Sequence, residues 1–389
     1  MPDVHAAAAA PARPDPARLA ALGKAIFFDT TLSASGRQSC ASCHDPDHGY
    51  GPPNALAVQL GGARLDRQGK RATPSLAYHL SRTPAWFKET QTKLIDRLTE
   101  TDNPPTGGLM WDGRFNSLAE QASAPMLDPD EMANPSPAVV ADKLSRTAYA
   151  AEFRALFGRD ALDDPARALR LAGQALERFE LDDPSFHRYD AKFDAYFDGK
   201  TTLNAAEEHG LRLFMDPAKG NCAACHRAAS GADGSHPIFT DYQFAALGVP
   251  RNPEIAANAD PAYYDLGLCG PKRADQAAQQ QWCGMFKTPT LRNTARRGAW
   301  FHNGRFHTLE DAVRFYVERD QRPGRFYGRD AHGKPVPYDD LPPTLRANVD
   351  HVDAPMDRKP NARPALDAAE IRDVVAFLRT LDDGWKPGT

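Results

Sequence analysis

Several features that often decide what a protein does are scarce or missing in this 389-residue chain. It contains no run of 18 apolar residues, so the sequence does not predict a membrane-spanning helix. Neither sign of charge dominates, because 47 Lys and Arg face 51 Asp and Glu, which leaves a net charge of −4. Neither a nucleic acid nor an anionic membrane is therefore expected as a partner. The 19 Phe and 5 Trp are enough to build hydrophobic cores.

Alternation of apolar and polar residues with a period of two, which is typical of a half-buried strand, is also hard to find. Helical periodicity dominates instead, and stretches rich in Pro and Gly over residues 100–108 and 323–343 predict loops. We therefore expect a mostly α fold with long connecting loops. The expected helices cover residues 17–28, 138–157, 166–181, 205–215, 308–318 and 367–381.

Cysteine is rare, and four of the six cysteines fall into two copies of one pattern, C-x-x-C-H. The copies are Cys40-Ala-Ser-Cys43-His44 and Cys222-Ala-Ala-Cys225-His226. This pattern is typical of covalent c-type haem attachment, in which two thiols bond the porphyrin and the adjacent His ligates the iron. A thioredoxin-like redox pair, half of a zinc site and a disulfide are the alternatives. The His that directly follows each pair favours two haems.

The two copies lie about half the chain apart, which predicts two haem domains in tandem. We place them at residues 1–190 and 191–389, with the boundary in the polar stretch 183–202. Since c-type haem is normally attached outside the cytoplasm, we expect a periplasmic chain. The N-terminal residues lack the charged and apolar pattern of a signal peptide, so we expect the signal to have been removed.

Two further cysteines, Cys269 and Cys283, belong to neither pattern. In an oxidising compartment the simplest use of two such residues is a disulfide that closes the short loop between them. Two free buried thiols are the alternative.

Five segments of the chain carry a family resemblance. They are residues 32–44, Thr73-Pro-Ser-Leu76, the stretch from Trp111-Asp-Gly-Arg114 to Pro129-Asp-Glu-Met132, the second C-x-x-C-H, and the stretch from Phe286-Lys-Thr-Pro to Thr308-Leu-Glu-Asp311. In this order they resemble the bacterial di-haem cytochrome c peroxidases and their relatives, the MauG proteins. The resemblance covers nearly the whole chain. It implies two class-I cytochrome c-like domains, with a peroxidatic haem in the first and an electron-transfer haem in the second.

The resemblance also implies roles for three side chains between the two haem motifs. Trp111 would lie between the haems and relay electrons. Gln121 and Glu131 would line the open face of the first haem, where Gln121 positions peroxide by hydrogen bonding. Glu131 would move a proton from the inner to the outer peroxide oxygen as an acid/base. A core Trp and a surface Glu are the structural alternatives.

The first departure from the classical peroxidases concerns a His that can block their first haem. The position of that His holds Arg64, and no His lies between His48 and His79. We therefore expect an open first haem that needs no reductive activation. A shifted loop that brings His79 to the iron is the alternative.

The second departure concerns the far side of the second haem, where His226 would be the first iron ligand. Classical peroxidases supply a Met there, but Tyr316 holds that position, as in MauG. Tyr316 lies on the apolar face of the expected helix 308–318, so we predict that it ligates the iron. The alternative is a core Tyr, with Met285 or Met356 as the ligand.

The third departure concerns the calcium site that the family places between its domains. Its positions hold Ala72, Arg297 and Ala299, so an oxygen ligand is lost and a cation is gained. We expect Arg297 to fill the site, with calcium held by carbonyls and water as the alternative.

Together these observations favour reduction of hydrogen peroxide to water at the first haem. Electrons would come through the second haem from a small cytochrome c or a copper protein. The alternative is a MauG-like enzyme that uses a bis-ferryl state to oxidise aromatic side chains of a partner protein. In MauG a surface Trp precedes the second motif, and Gly220 holds its position here. A non-catalytic di-haem carrier is a further alternative, and a homodimer stays open because no interface is legible in the sequence.

Overall fold

The computed structural model describes residues 14–79, 83–86, 105–231 and 234–388. Within them helices and loops dominate, which confirms the mostly α prediction. The helices are α1 (Pro16–Phe28), α2 (Leu118–Ser123), α3 (Pro137–Ser145), α4 (Ala150–Phe157), α5 (Pro165–Asp182), α6 (Lys192–Phe197), α7 (Ala205–Met215), α8 (Leu309–Glu318) and α9 (Ala368–Arg379). Two small antiparallel sheets of two strands each pair β1 (Leu60–Gly61) with β2 (Arg67–Gln68), and β3 (Phe244–Ala245) with β4 (Phe286–Lys287).

Short polar side chains mark where the helices begin. Asp15 before Pro16 and Asp164 before Pro165 accept hydrogen bonds from the first turns of α1 and α5. Thr308 accepts one from the third residue of α8 at 3.0 Å. Because these signals are local, five of the six expected helices agree with the structure to within two residues.

The expectation of one helix over residues 138–157 is wrong. α3 ends at Ser145 and α4 begins at Ala150. Both the N–H and the hydroxyl of Thr147 donate to the carbonyl oxygen of Leu144, at 3.3 and 2.9 Å. These bonds to a residue three positions back tighten the turn and end the helix.

The two halves of the chain repeat one close helix crossing. On α1, a Cβ at Gly23 would lie 1.9 Å from the carbonyl oxygen of Ala175 on α5. On α7, a Cβ at Gly210 would lie 1.9 Å from the carbonyl oxygen of Asp373 on α9. Only glycine permits either approach. Each crossing lies beside one C-x-x-C-H segment, so the two halves of the chain repeat the same local structure.

A hydrophobic core surrounds each crossing. The first is built from residues 19–186 and the second from residues 193–381. The chain therefore passes from one core to the other between Phe186 and Phe193. This division falls where the boundary was expected, although cytochrome c-like domains over 1–190 and 191–389 stay a prediction.

Buried polar contacts join the two halves. Arg71 forms a paired ion contact with Asp265 at 2.6 and 2.7 Å and also reaches Asp112 at 2.7 Å. The hydroxyl of Tyr78 donates to Asp383 at 2.6 Å. These contacts fix the first half against the second, and one of them involves Asp112, the residue after Trp111.

The loops behave largely as expected. Residues 326–342 form no helix or strand, and neither do residues 105–108; residues 100–104 lie outside the described part. Cys269 and Cys283 form the expected disulfide. Among the described residues, every helix is too short or too polar to cross a lipid bilayer.

Candidate active site

The two C-x-x-C-H motifs fold in the same way. Each begins with a single 3-10 turn, Cys40–Ser42 in the first half and Cys222–Ala224 in the second. The N–H of His44 donates to the carbonyl oxygen of Cys40 at 2.9 Å, and that of His226 to Cys222 at 2.8 Å. All four motif cysteines are free, so the disulfide alternative is wrong for them.

The imidazoles of the motifs are oriented by backbone carbonyls. Nδ1 of His44 lies 3.2 Å from the carbonyl oxygen of Tyr50, and Nδ1 of His226 lies 3.0 Å from that of Phe239. A carbonyl only accepts, so Nδ1 carries the proton and Nε2 keeps a free lone pair. Burial lowers the pKa of His226 and lowers that of His44 to about 4, which keeps both rings neutral.

Each motif lines a large cavity. The first measures about 1150 Å³ and the second about 2150 Å³, counting space open to solvent. Each combines two free thiols with an imidazole ready to ligate, which fits a c-type haem. The residues that would hold the two groups are Cys40, Cys43 and His44 in the first cavity and Cys222, Cys225 and His226 in the second.

Gln121 lines the first cavity from α2. Its amide N–H₂ has one contact, with Sδ of Met110 at 3.7 Å. Its Oε1 atom is buried and finds no hydrogen-bond partner among the described residues. A buried acceptor without a partner costs free energy unless a ligand satisfies it. The side chain is thus available to a small polar molecule in the cavity.

Glu131 lines the same cavity from the turn after α2. The hairpin of β1 and β2 holds this turn, because the N–H of Gly62 donates to the carbonyl oxygen of Glu131 at 2.7 Å. Burial, helped by the nearby carboxylate of Asp128, raises the pKa of Glu131 to about 7 against the opposing charges of Lys272 and Arg114. A carboxyl with this pKa can both accept and return a proton near neutral pH.

Trp111 lines both cavities, as the expected position between two haems requires. Its Nε1 donates to the carbonyl oxygen of Ala72 at 2.8 Å, and its own carbonyl accepts from the N–H of Lys287 at 2.9 Å. The next residue, Asp112, is fully buried between Arg71 and Arg114, at 2.7 and 2.9 Å. The indole is therefore held rigidly on one side of each cavity.

Tyr316 faces the second cavity from α8. Burial raises the pKa of its phenol above the ordinary value. Met356 also lines this cavity, but its Sδ lies 3.3 Å from the guanidinium of Arg319. Met285 is not among the described lining residues and packs beside Trp86 instead. The surroundings favour Tyr316 as the ligand.

The first cavity contains one imidazole, that of His44, among its described lining residues. Arg64 points to solvent, where its side chain is 84% exposed and pairs with Asp66. His79 lines the second cavity rather than the first. Among the residues that the structure describes, no second His thus reaches the first cavity.

Arg297 occupies the place where calcium was considered. Its guanidinium donates to the carbonyl oxygens of Thr73 and Ala299, at 2.8 and 3.2 Å. Burial lowers its pKa to about 10, which still leaves it cationic. Among the described residues no cluster of three or more His, Cys, Asp or Glu side chains is arranged for a metal ion. That Arg297 fills this place instead of calcium stays a prediction.

Sequence reasoning missed several charged residues of the first cavity, Glu180 and Lys272 among them. Glu180 is 3% exposed on α5, and burial raises its pKa to about 8. An acid on the apolar face of an expected helix was the available signal. Lys272 comes from the loop between Cys269 and Cys283, far along the chain, and carries no local signal.

Comparison with known proteins agrees with this geometry. Residues 17–202 match the family model described as di-haem cytochrome c peroxidase. The chain is 33% identical over 382 residues to the methylamine utilization protein MauG of Paracoccus denitrificans, covering 96% of this chain and 90% of that protein. It is 29% identical over 309 residues to the cytochrome c551 peroxidase of Nitrosomonas europaea, covering 77% and 73%.

Among solved structures, the diheme peroxidase BthA of Burkholderia thailandensis superimposes with a TM-score of 0.82 at 40% sequence identity. The match covers 95% of this chain and 87% of that one. The similarity to a MauG protein extends over 96% of this chain, and each of the two cavities is lined by one C-x-x-C-H motif. Together these findings identify the family. The chain belongs to the family of di-haem cytochrome c peroxidases and MauG proteins, and it is a di-haem oxidoreductase.

Proposed function

We propose that this protein is a periplasmic peroxidase that reduces hydrogen peroxide to water in its first cavity. One observation carries the proposal. The cavity that holds His44 also holds the unpartnered Oε1 of Gln121 and the buried carboxyl of Glu131, and no second imidazole among its described residues. A pure electron carrier has no use for an open site with a proton-transfer group.

The first motif would hold the haem through Cys40, Cys43 and His44. When bound, such a haem supplies an iron that coordinates and activates peroxide. Gln121 then orients the peroxide, since its amide offers an acceptor and donors at one point. Glu131 takes the proton from the inner peroxide oxygen and returns it to the outer one, which leaves as water. The overall reaction joins one peroxide, two electrons and two protons to give two waters.

Electrons would reach the first cavity past Trp111, whose indole lines both cavities. The second cavity would hold its haem through Cys222, Cys225 and His226, with Tyr316 as a further iron ligand. We propose a small cytochrome c or a copper protein as the donor. Because Trp111 lines both cavities, electron transfer through its indole would require no movement of either half.

Oxidation of aromatic side chains in a partner protein is the second candidate. Tyr316 favours it, because an anionic oxygen ligand stabilises high oxidation states of iron. The extensive similarity to a MauG protein favours it as well. Because Gly220 stands where that MauG has a Trp, electrons from a partner protein would have to follow a different route into this chain.

The test compares the purified holoenzyme with its Glu131→Gln variant. We expect the variant to keep its haem content and to consume peroxide more slowly, by roughly 10²- to 10⁴-fold, since it lacks the proton-transfer group. Glu152→Gln removes a carboxylate from an exposed ion pair in the same half and serves as the control. Full activity in Glu131→Gln would remove Glu131 from the reaction.

The same assay separates the two candidates. A peroxidase oxidises a reduced cytochrome c or copper protein steadily, with two donor molecules per peroxide. A protein-oxidising enzyme turns over such donors poorly, and its doubly oxidised state after one equivalent of peroxide is long-lived. Optical and electron paramagnetic resonance spectra of the diferric protein, taken before and after peroxide, follow this difference.

A further inference from the structure

A loop from the second half of the chain reaches the first cavity. It runs from Cys269 to Cys283, which are joined by the disulfide, and it places Lys272 on the cavity wall. Nζ of Lys272 lies 2.5 Å from Oδ2 of Asp128. The two side chains are 27% and 16% exposed, so this ion pair is largely shielded from solvent.

Asp128 belongs to the turn that carries Glu131. Its backbone carbonyl accepts from the N–H of Glu131 at 3.0 Å. Its Oδ1 accepts from the N–H of Asp130 at 2.9 Å, so each carboxylate oxygen has its own partner. One oxygen of the Asp128 carboxylate thus binds Lys272, and the other binds the backbone of the turn itself.

The loop is anchored on both sides of Lys272. The disulfide ties its ends together. Next to Lys272, the buried guanidinium of Arg273 donates to the carbonyl oxygen of Asp112 at 2.7 Å and lies 4.0 Å from the ring centre of Trp86. These contacts fix the backbone on both sides of Lys272. The ion pair with Asp128 therefore requires little further loss of conformational entropy.

We propose that Lys272 is a positioning residue for the first site. Through Asp128 it holds the turn of Glu131, and its positive charge favours the carboxylate form of Glu131, which accepts the proton of peroxide. This inference rests on the proposed peroxide chemistry. It adds to that chemistry a residue from the opposite half of the chain.

Other charges also face Glu131, and they oppose one another. Asp128 and Asp130 raise its pKa, whereas Lys272 and Arg114 lower it. The remaining charged or titratable groups around the cavity are Arg67 and Lys70, both paired with Asp130, Arg71, paired with Asp112 and Asp265, and Glu180, Cys40, Cys43 and His44. Without Lys272 the carboxylate of Asp128 would lie uncompensated beside Glu131. Glu131 would then keep its proton at a pH where the native side chain has released it.

The experiment measures two midpoints in the holoenzyme as pH is varied. The first is that of the rate of the peroxide reaction. The second is that of the carboxyl band of Glu131 in infrared difference spectra, identified by its loss in Glu131→Gln. In Lys272→Met we expect both midpoints to rise by about one pH unit, because a nearby positive charge is lost. Lys272→Arg should restore both.

Two further variants distinguish charge from folding. Asp128→Asn keeps a side-chain acceptor in the turn but removes a negative charge, so both midpoints should fall. Lys24→Met removes a lysine from an exposed ion pair with Asp183 in the first half and should leave both unchanged.

Unchanged midpoints in Lys272→Met, or shifts in one direction in both Lys272→Met and Asp128→Asn, would overturn the inference. A native enzyme that ignores peroxide would refute the proposed function instead. The infrared midpoints would still test Lys272 in that case, since they need no turnover.

Discussion

At the scale of single residues, the proposed ligand Tyr316 would set what the second cavity can do. A phenolate oxygen would hold an iron in high oxidation states, whereas a thioether favours the reduced form. The competing sulfur of Met356 is engaged by Arg319 at 3.3 Å, so the structure leaves Tyr316 with the better access.

Replacing Tyr316 by Phe removes the proposed ligand oxygen and keeps the ring. We expect the second haem to become high-spin in the diferric electron paramagnetic resonance spectrum, because its sixth ligand is lost. Met356→Leu should leave that spectrum as it is in the native protein. An unchanged spectrum in Tyr316→Phe would show that another group ligates this iron.

At the scale of secondary-structure elements, each half of the chain is held together by one helix crossing at a glycine. α1 packs on α5 through Gly23, and α7 packs on α9 through Gly210. In both places an aromatic ring follows the glycine by four residues and meets a Phe of the partner helix, with Phe27 on Phe179 and Phe214 on Phe377. The pairs repeat the same packing in each half.

Alanine at either glycine would place Cβ 1.9 Å from a backbone carbonyl oxygen, so the helices would have to separate. We expect Gly210→Ala to destabilise the second half by about 1–3 kcal/mol, the usual cost of overpacking. Haem should be lost from the second motif before the first, as haem stoichiometry and thermal unfolding would show. Gly23→Ala should give the reverse order. Equal losses in both variants would contradict independent crossings.

At the scale of the whole molecule, two buried carboxyls link stability to pH. Burial raises the pKa of Glu131 to about 7 and that of Glu180 to about 8. In the unfolded chain the pKa of a Glu is about 4.3. Between these values the folded protein retains protons that the unfolded chain has released, so stability falls as pH rises from about 4.3 to 8.

Glu180→Gln should remove one of these two protons. Denaturant unfolding of the holoenzyme should then show a smaller loss of stability between pH 5 and pH 8 than in the native protein. Glu208→Gln removes a carboxylate from an exposed ion pair with Arg212 on α7 and is the control. An equal loss in Glu180→Gln and the native chain would mean that Glu180 is ionised in the fold at neutral pH.

Much of the site could be predicted because its signals are local. Each C-x-x-C-H motif consists of one 3-10 turn and the two residues that follow it, so the side chains of its two Cys and its His are placed by adjacent backbone atoms. Trp111, Gln121 and Glu131 lie within one short stretch of chain. Their placement around the first cavity agrees with the roles that the family resemblance implies, and those roles stay predictions.

The sequence alone determined the mostly helical fold, the two motifs and the family, because each depends on neighbouring residues or on a recurring pattern. The structure decided between a disulfide and two free thiols at Cys269 and Cys283. Only the tertiary structure decided that Lys272 reaches Asp128, that Glu180 loses its solvent and that Arg297 takes the carbonyl oxygens of Thr73 and Ala299. These contacts join residues far apart in the chain. Burial and charge depend on every group packed nearby, and no local pattern of residues records that environment.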